Sequence, residues 1–417
     1  MNIKQLYIAS VLLLISVSSY AQFILSGEFR PRFEARHGYR TLPPEDTTFA
    51  AFVNQRSRIN LQYSTGRLRT FLGFQEVRVW GGKGMFETLP GIGLHQAYVE
   101  LDIIPKLSLR AGRQELRYDN QRLLGMNNWN QSGRTHDAAV LRFKSENWQV
   151  HLGTAFNQSA ENLFGTTYLG REYKTLSYLW MQRELGNFTI NGLWLSDGYQ
   201  DREDQTKTRF RSTAGGIVKA KLADHSIELH GYYQFGQTNT GQDIRAWYIH
   251  PVARLSLGVN TQLNVGVEVF SGNDPSKEED HFKAFHNLYG TTHGFNGHLD
   301  YFTNIPEHTN NTGLVNPYLE IEHKLNDQLT LRGDYHFFAT HRSLVNQENQ
   351  PYDRYLGSEI DFSVQLNISK EIDLQMGYST MFASPSMEVL KGGSHEEFVH
   401  WGWMMLTVRP VFFRSKE

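Results

Sequence analysis

Residues 225–236 read HSIELHGYYQFG. Ile227, Leu229, Gly231, Tyr233 and Phe235 share one parity, and Ser226, Glu228, His230, Tyr232 and Gln234 share the other. A strand sends successive side chains to opposite faces, so this segment presents one apolar and one polar face. In a bilayer barrel the apolar face meets lipid and the polar face meets a wet interior. The pattern recurs in 258–270, where Val259, Thr261, Leu263, Val265, Val267 and Val269 oppose Asn260, Gln262, Asn264 and Glu268. In 23–34, Glu28, Arg30, Arg32 and Glu34 alternate with Phe29, Pro31 and Phe33. Residues 54–63, NQRSRINLQY, place Arg56 and Arg58 on the polar side but Gln55 and Ser57 on the side of Ile59, Leu61 and Tyr63.

Working outward, eighteen candidate strands fall near 23–34, 52–64, 67–79, 93–103, 107–117, 134–144, 147–157, 171–182, 186–196, 206–220, 225–236, 242–254, 258–270, 314–325, 328–340, 356–368, 371–382 and 399–412. Each is about as long as a tilted strand needs to cross a bilayer. Their connections alternate. Short ones include STG (64–66), IPK (104–106), ELG (184–186) and SKE (369–371). Long ones occupy about 35–51, 80–92, 118–133, 158–170, 197–205, 271–313, 341–355 and 383–398, with QTNTG (237–241) a short exception. An even strand number returns both ends to the short-turn rim, which is expected to be periplasmic. The fold expected is all-β, a transmembrane antiparallel barrel of about 18 strands in one domain, residues 22–417. A secreted soluble β-protein is the competing reading, since sandwiches and propellers also alternate. No blade-like internal repeat supports it.

The start of the chain agrees with export. Lys4 precedes the apolar run LYIASVLLLISVS, and SYA follows, which reads as a signal peptide over 1–21 cleaved after Ala21. The absence of cysteine excludes disulfides and thiolate metal sites. Net charge is −2 and mean hydropathy −0.48, too polar for a helical membrane protein and giving no sign of a nucleic-acid partner. Tyr63, Trp80, Trp129, Trp148, Trp180, Trp194, Trp247, Trp401 and Trp403 are candidates for interfacial girdles.

The charges are unevenly distributed: 26 of the 41 Lys and Arg lie in residues 1–211. Arg30, Arg32, Arg56 and Arg58 project into the lumen by parity. Arg110 and Arg113 have opposite parity unless the strand bulges. A guanidinium wall would attract anions and lower their entry barrier. The same arginines could instead brace the wall against Glu28, Glu34, Glu76, Glu100, Asp102 and Glu115, and both uses can coexist. The 118–133 and 271–313 connections are long enough to narrow the lumen or lid it. His281, His286, His293 and His298 with Asp280 and Asp300 match no metal-ligand spacing, so loop packing is the expected role and no metal or cofactor is expected. No nucleophile motif or phosphate loop argues for an enzyme.

The stretches GRQELRYDNQRLLG (112–125), NWNQSGRTHDAAVLRF (128–143), EVFSGNDP (268–275) and FHNLYGTTHGFNGHLDYF (285–302) resemble the alginate export family of outer-membrane porins, in its Bacteroidetes-type form. The resemblance implies an eighteen-stranded barrel in the outer membrane of a Gram-negative bacterium. It also implies passive passage of an anionic polysaccharide such as alginate, its oligomers, or smaller polar solutes. Outer-membrane lipid and periplasmic or polysaccharide-synthesis proteins would be its partners. The family's arginine-rich constriction carries over to Arg113 and Arg134, with Arg117 and Arg122 as companions; Arg30, Arg32, Arg56 and Arg58 join by parity. The alternative function is a non-conducting barrel with a surface adhesion or structural role.

Overall fold

The structure, a computed structural model, describes residues 21–87, 91–170 and 172–415. The signal segment 1–21 lies outside the described residues except for Ala21, the first residue of β1. The strands are β1 (Ala21–His37), β2 (Ala50–Thr65), β3 (Leu68–Val79), β4 (Gly93–Ile104), β5 (Leu107–Gln114) and β6 (His136–Lys144). They continue as β7 (Trp148–Phe156), β8 (Thr175–Leu185), β9 (Phe188–Gln200), β10 (Thr208–Leu222), β11 (His225–Gln237) and β12 (Asp243–Ser256). The remainder are β13 (Thr261–Phe270), β14 (Leu314–Lys324), β15 (Leu329–Thr340), β16 (Tyr355–Asn367), β17 (Ile372–Ala383), β18 (Val399–Val408) and β19 (Val411–Arg414).

Every neighbouring pair is antiparallel, and β1 closes the sheet by pairing with β2 on one side and β18 on the other. Closure leaves no free edge, so each strand's backbone groups find partners without water. β18 and β19 form one stave interrupted at Arg409–Pro410, where Pro410 has no N–H to give the ladder; its carbonyl accepts from Gly27 N at 2.9 Å. The barrel therefore has eighteen staves. Ala21 pairs with Thr65 and Ile24 with Arg414, which places both ends of the described chain at the short-turn rim.

The faces follow the sequence period. Ile227, Leu229, Tyr233 and Phe235 are 41–51% exposed and form part of an outer apolar band, whereas Ser226, Glu228, His230, Tyr232 and Gln234 are buried inside. Gln55 and Ser57 do lie on the outer side, and they satisfy one another: Gln55 Nε2 donates to Ser57 Oγ at 3.0 Å. Trp80 Nε1 caps Gln55 Oε1 at 2.9 Å. Trp129, Trp180, Trp401 and Trp403 correct the girdle expectation, because they pack inside the barrel rather than at its outer rims. Trp80, Trp148, Trp194 and Trp247 remain exposed.

Several boundaries also differ from expectation. β5 ends at Gln114, releasing 115–117 into the connection; β6 starts at His136, β8 at Thr175 and β13 at Thr261. With β6 starting at His136, buried Ala138 and Val140 share its parity and Asp137 takes the opposite one.

A barrel this wide is not filled by its own wall side chains. Two long connections supply the filling. Leu116, Leu123 and Leu124 of 115–135 and Phe285, Leu299, Tyr301, Phe302 and Ile305 of 271–313 are all buried within one hydrophobic cluster. The second connection carries a short helix, α1 (Ile305–His308). The 384–398 connection carries α2 (Pro385–Lys391), whose Ser384 Oγ accepts from Met387 N at 3.3 Å and whose end is marked by Gly392 at φ +69°.

Candidate functional site

The two inward connections meet as a short parallel bridge between Leu124 and Tyr289. Tyr289 N donates to Leu123 O at 2.9 Å and Gly125 N to Tyr289 O at 3.0 Å. The approach is close enough that a Cβ on Gly290 would sit 2.0 Å from Arg122 O, so this position requires glycine. Tyr289 Oη then donates to Asp197 Oδ2 of β9 at 2.6 Å, tying the bridge to the wall.

The N-terminal arginines grip the first of these connections. Arg30 donates to Gln131 Oε1 (2.8 and 3.0 Å) and to Asn128 O (2.9 Å). Arg32 donates to Trp129 O and Glu34 Oε1 and lies 4.0 Å over the Trp129 ring. Arg56 Nε donates to Glu28 Oε1 at 2.7 Å and its Nη2 to Asn128 Oδ1 at 2.9 Å. Arg58 Nε donates to Gln75 Oε1 at 2.9 Å, while its Nη2 is buried without a hydrogen-bond partner among the described residues. Arg30 and Arg56 stand directly opposite each other on β1 and β2, a like-charge pairing offset by Glu28 and the loop carbonyls. Arg30, Arg32 and Arg56 are brought together around residues 128–131 rather than around open space, while Arg58 is held by Gln75 of β3.

The other four candidates are dispersed. Arg122 pairs with Glu268 on β13 at 2.8 Å, both almost fully buried. Arg113 pairs with Asp137 across β5 and β6 at 3.0 Å. Arg134 donates to Gly290 O at 2.6 Å. Arg113 and Arg134 share a cavity of about 590 Å³ with His95, His136 and Glu172, near the ends of β3, β4 and β7 that lead to long connections. Gly112, at φ +124°, lies between Arg110 and Arg113.

Arg117 opens onto a different cavity of about 560 Å³, near the short-turn ends of β6, β7, β10 and β12. Arg142, Lys219 and Arg254 also line it, against Asp119 and Glu228. Arg117 is exposed and has no hydrogen-bond or ionic partner among the described residues. Beside this cavity, Glu100 of β4 collects Arg69, Arg110 and Arg142 at 3.0, 2.5 and 3.2 Å. Glu228 collects Lys219 at 2.7 Å and Arg254 at 3.4 Å. Lys219 and Arg254 lie outside the arginine-rich first half on which sequence reasoning concentrated. Their signal was the parity each shares with the inward residues of its strand, Lys219 with Thr213 and Ile217, Arg254 with Tyr248 and Val252.

Two of the loop histidines, His286 and His293, are occupied in packing. His293 Nδ1 lies 2.9 Å from Asp300 Oδ1, and its ring stacks on Trp129 at 3.9 Å. His286 N donates to Gln234 Oε1 at 2.9 Å, and burial, with Arg211 adding to it, pushes the His286 imidazole down to about 3, so it is neutral at pH 7.

The alginate export family profile matches residues 89–386. The chain belongs to that family. As a member it is an outer-membrane barrel of a Gram-negative bacterium, a channel through which solutes pass. No curated relative matches it. Among solved structures, this family member is similar to OccAB1 of Acinetobacter baumannii at 12% identity and a TM-score of 0.62, covering 94% of this chain and 97% of that one. It is also similar to OpdK of Pseudomonas aeruginosa, solved with vanillate, at 9% identity and a TM-score of 0.59, covering 94% and 99%. OccK5 (OpdH) of Pseudomonas aeruginosa gives 10% identity and a TM-score of 0.60, covering 94% and 98%. At these identities the likeness is one of fold.

Proposed function

We propose that the channel favours small anionic solutes, free carboxylates and short uronate oligomers among them, over cations and over long polysaccharide. The observation that carries this reading is the unpaired Arg117 in a cavity with four cationic and two acidic side chains. A guanidinium with open donors binds a carboxylate in a two-pronged fashion, and flanking cations raise the local anion concentration. Two inward connections occupy the middle of the lumen, which supports a short or slender solute. The vanillate bound to OpdK is a precedent for a small carboxylate in this architecture. The short-turn rim is taken as periplasmic, so that the Arg117 cavity faces the periplasm and any partner that delivers or receives solute there.

The test is reversal potential in planar bilayers under a salt gradient, for wild type and Arg117→Gln/Arg142→Gln. An anion-selective potential that moves toward zero in the variant supports the reading; a cation-selective wild type overturns it. The rival, a non-conducting barrel with a structural or adhesive role, draws on the same two inward connections. A folded, purified barrel that gives no stable current decides for it.

A further inference from the structure

β15 and β16 carry a concentration of buried charge that the channel reading leaves unused. Asp334 and His336 of β15 face Asp361 and Glu359 of β16 in direct register. All four side chains are inward and buried: Asp334 at 4%, His336 at 3%, Glu359 at 0% and Asp361 at 1% exposure. Like charges directly opposite on antiparallel strands repel, and burial strengthens the repulsion. Something must compensate them.

The 271–313 connection brings one group to this spot. Gly297, at φ +73°, lets the backbone approach so closely that a Cβ there would sit 2.4 Å from the Glu359 carboxylate. Leu299 N donates to Glu359 Oε1 at 2.7 Å and His298 N to Asp361 Oδ2 at 3.3 Å. The His298 ring enters between the carboxylates, 3.6 Å from Asp334 Oδ2 and 3.9 Å from Asp361 Oδ1. Neither distance makes a hydrogen bond. His298 Nδ1, Asp361 Oδ1 and Glu359 Oε2 are all buried without a hydrogen-bond partner among the described residues. Buried polar atoms of this kind require an explanation, an ion being one.

Among the described residues, Arg332 is the guanidinium at the cluster, with Nε 2.9 Å from both Asp334 oxygens and Nη2 3.1 Å from Glu320. Four carboxylates, those of Glu320, Asp334, Glu359 and Asp361, share that guanidinium, an excess of acidic groups that a divalent cation would offset. One atom each from His298, Asp334 and Asp361 lie within 4.8 Å of one another, a spacing a single ion spans. An Asp already held by an arginine keeps free lone pairs for a metal, and that arginine fixes its orientation.

We propose that His298, Asp334 and Asp361 bind a divalent first-row transition cation, with Glu359 adjacent as a further oxygen donor. The mixed imidazole and carboxylate set suits Zn²⁺ or Mn²⁺ better than Ca²⁺ or Mg²⁺, which take oxygen ligands. Bound there, the ion clamps the 295–302 segment to the wall, and its release frees the largest inward connection.

The experiment uses the full barrel in detergent, stripped with EDTA and titrated with Zn²⁺ and Mn²⁺. Uptake of about one equivalent is expected, weakened more than about tenfold in His298→Ala and in Asp361→Asn, since even outer-shell changes around a metal cost that much. His37→Ala/His400→Ala, which removes an accessible pair with rings 5.5 Å apart, is expected to retain this equivalent. X-ray absorption of the Zn²⁺-loaded wild type keeps the test independent of variant folding: one imidazole and otherwise oxygen ligands support the site, and a multi-histidine shell overturns it. No uptake, or uptake indifferent to His298 and Asp361, also overturns it and leaves protons as the compensating charge. Metal uptake is read without any current, so its failure is distinguishable from failure of the channel reading.

Discussion

Arg122 and Glu268 meet at 2.8 Å inside the barrel although 146 positions separate them, and neither side chain is more than 2% exposed. The guanidinium also lies 4.9 Å from the Phe270 ring and 4.5 Å from the Phe295 ring. Breaking a buried pair on one side strands the other charge, at a cost of about 3–5 kcal/mol. Arg122→Met is therefore expected to destabilise the barrel by roughly that amount, with hydrogen exchange rising first in 115–135. Arg122→Met/Glu268→Leu is expected to recover most of the loss. A double variant as unstable as the single one would show that the pair does not hold the connection.

Gly290→Ala tests the contact between the two inward connections. The new methyl meets Arg122 O, which belongs to backbone and cannot swing aside. Overpacking of this kind costs about 1–3 kcal/mol. The expected result is a folded barrel with lowered protection at both 121–125 and 287–291, measured by hydrogen exchange. Unchanged protection would mean the bridge is not closed.

Bracing and selectivity are separable by residue. Arg56 is fully buried, with Glu28 and Asn128 as partners, so Arg56→Gln is expected to lower the unfolding midpoint in urea. Arg117 is exposed and free of partners, so Arg117→Gln is expected to leave that midpoint unchanged while lowering the anion-to-cation permeability ratio by roughly a factor of two. The reverse assignment of effects would refute this division of labour.

Lys391, at the end of α2, gives a pH dependence of known sign. Its Nζ donates to Tyr301 O at 2.5 Å and lies 5.1 Å from the Phe302 ring. Burial pushes the ammonium down to about 7 despite Glu307, while His308 faces the same spot. The unfolded lysine keeps its proton to about 10.4. Between these values the undocked state binds the extra proton, so docking of α2 strengthens as pH rises from about 7 toward 10. Proteolysis within 384–398 is expected to be slower at pH 9 than at pH 6.5, and Lys391→Met is expected to abolish the difference. A variant with the wild-type dependence would assign the effect elsewhere.

Much of the wall is legible in the sequence. Phe29 and Phe33 point outward and Arg30, Arg32 and Arg56 inward because each strand residue's facing depends only on its own parity, a local property. The alternation of short and long joins likewise fixed the number of staves and brought both ends to one rim. Where local rules lapsed, the causes were specific. Trp401 and Trp403 share parity with Met405 and lie inside, but aromatic type alone suggested a membrane girdle. Residues 115–117 continued the look of a strand, yet their side chains serve the connection that turns into the lumen.

The period of two, the even strand count and the spacing of turns were set by the sequence alone, because they involve neighbours along the chain. Which arginines brace and which stay free was decided only by tertiary structure. Asn128 and Gln131 reach Arg56 and Arg30 from about 70 and 100 positions away, and Arg117 is left without a partner because its connection turns it toward water. The meeting of His298 with Asp334 and Asp361 has the same origin. Long-range return of a loop into a closed barrel leaves no periodic trace in the residues that it brings together.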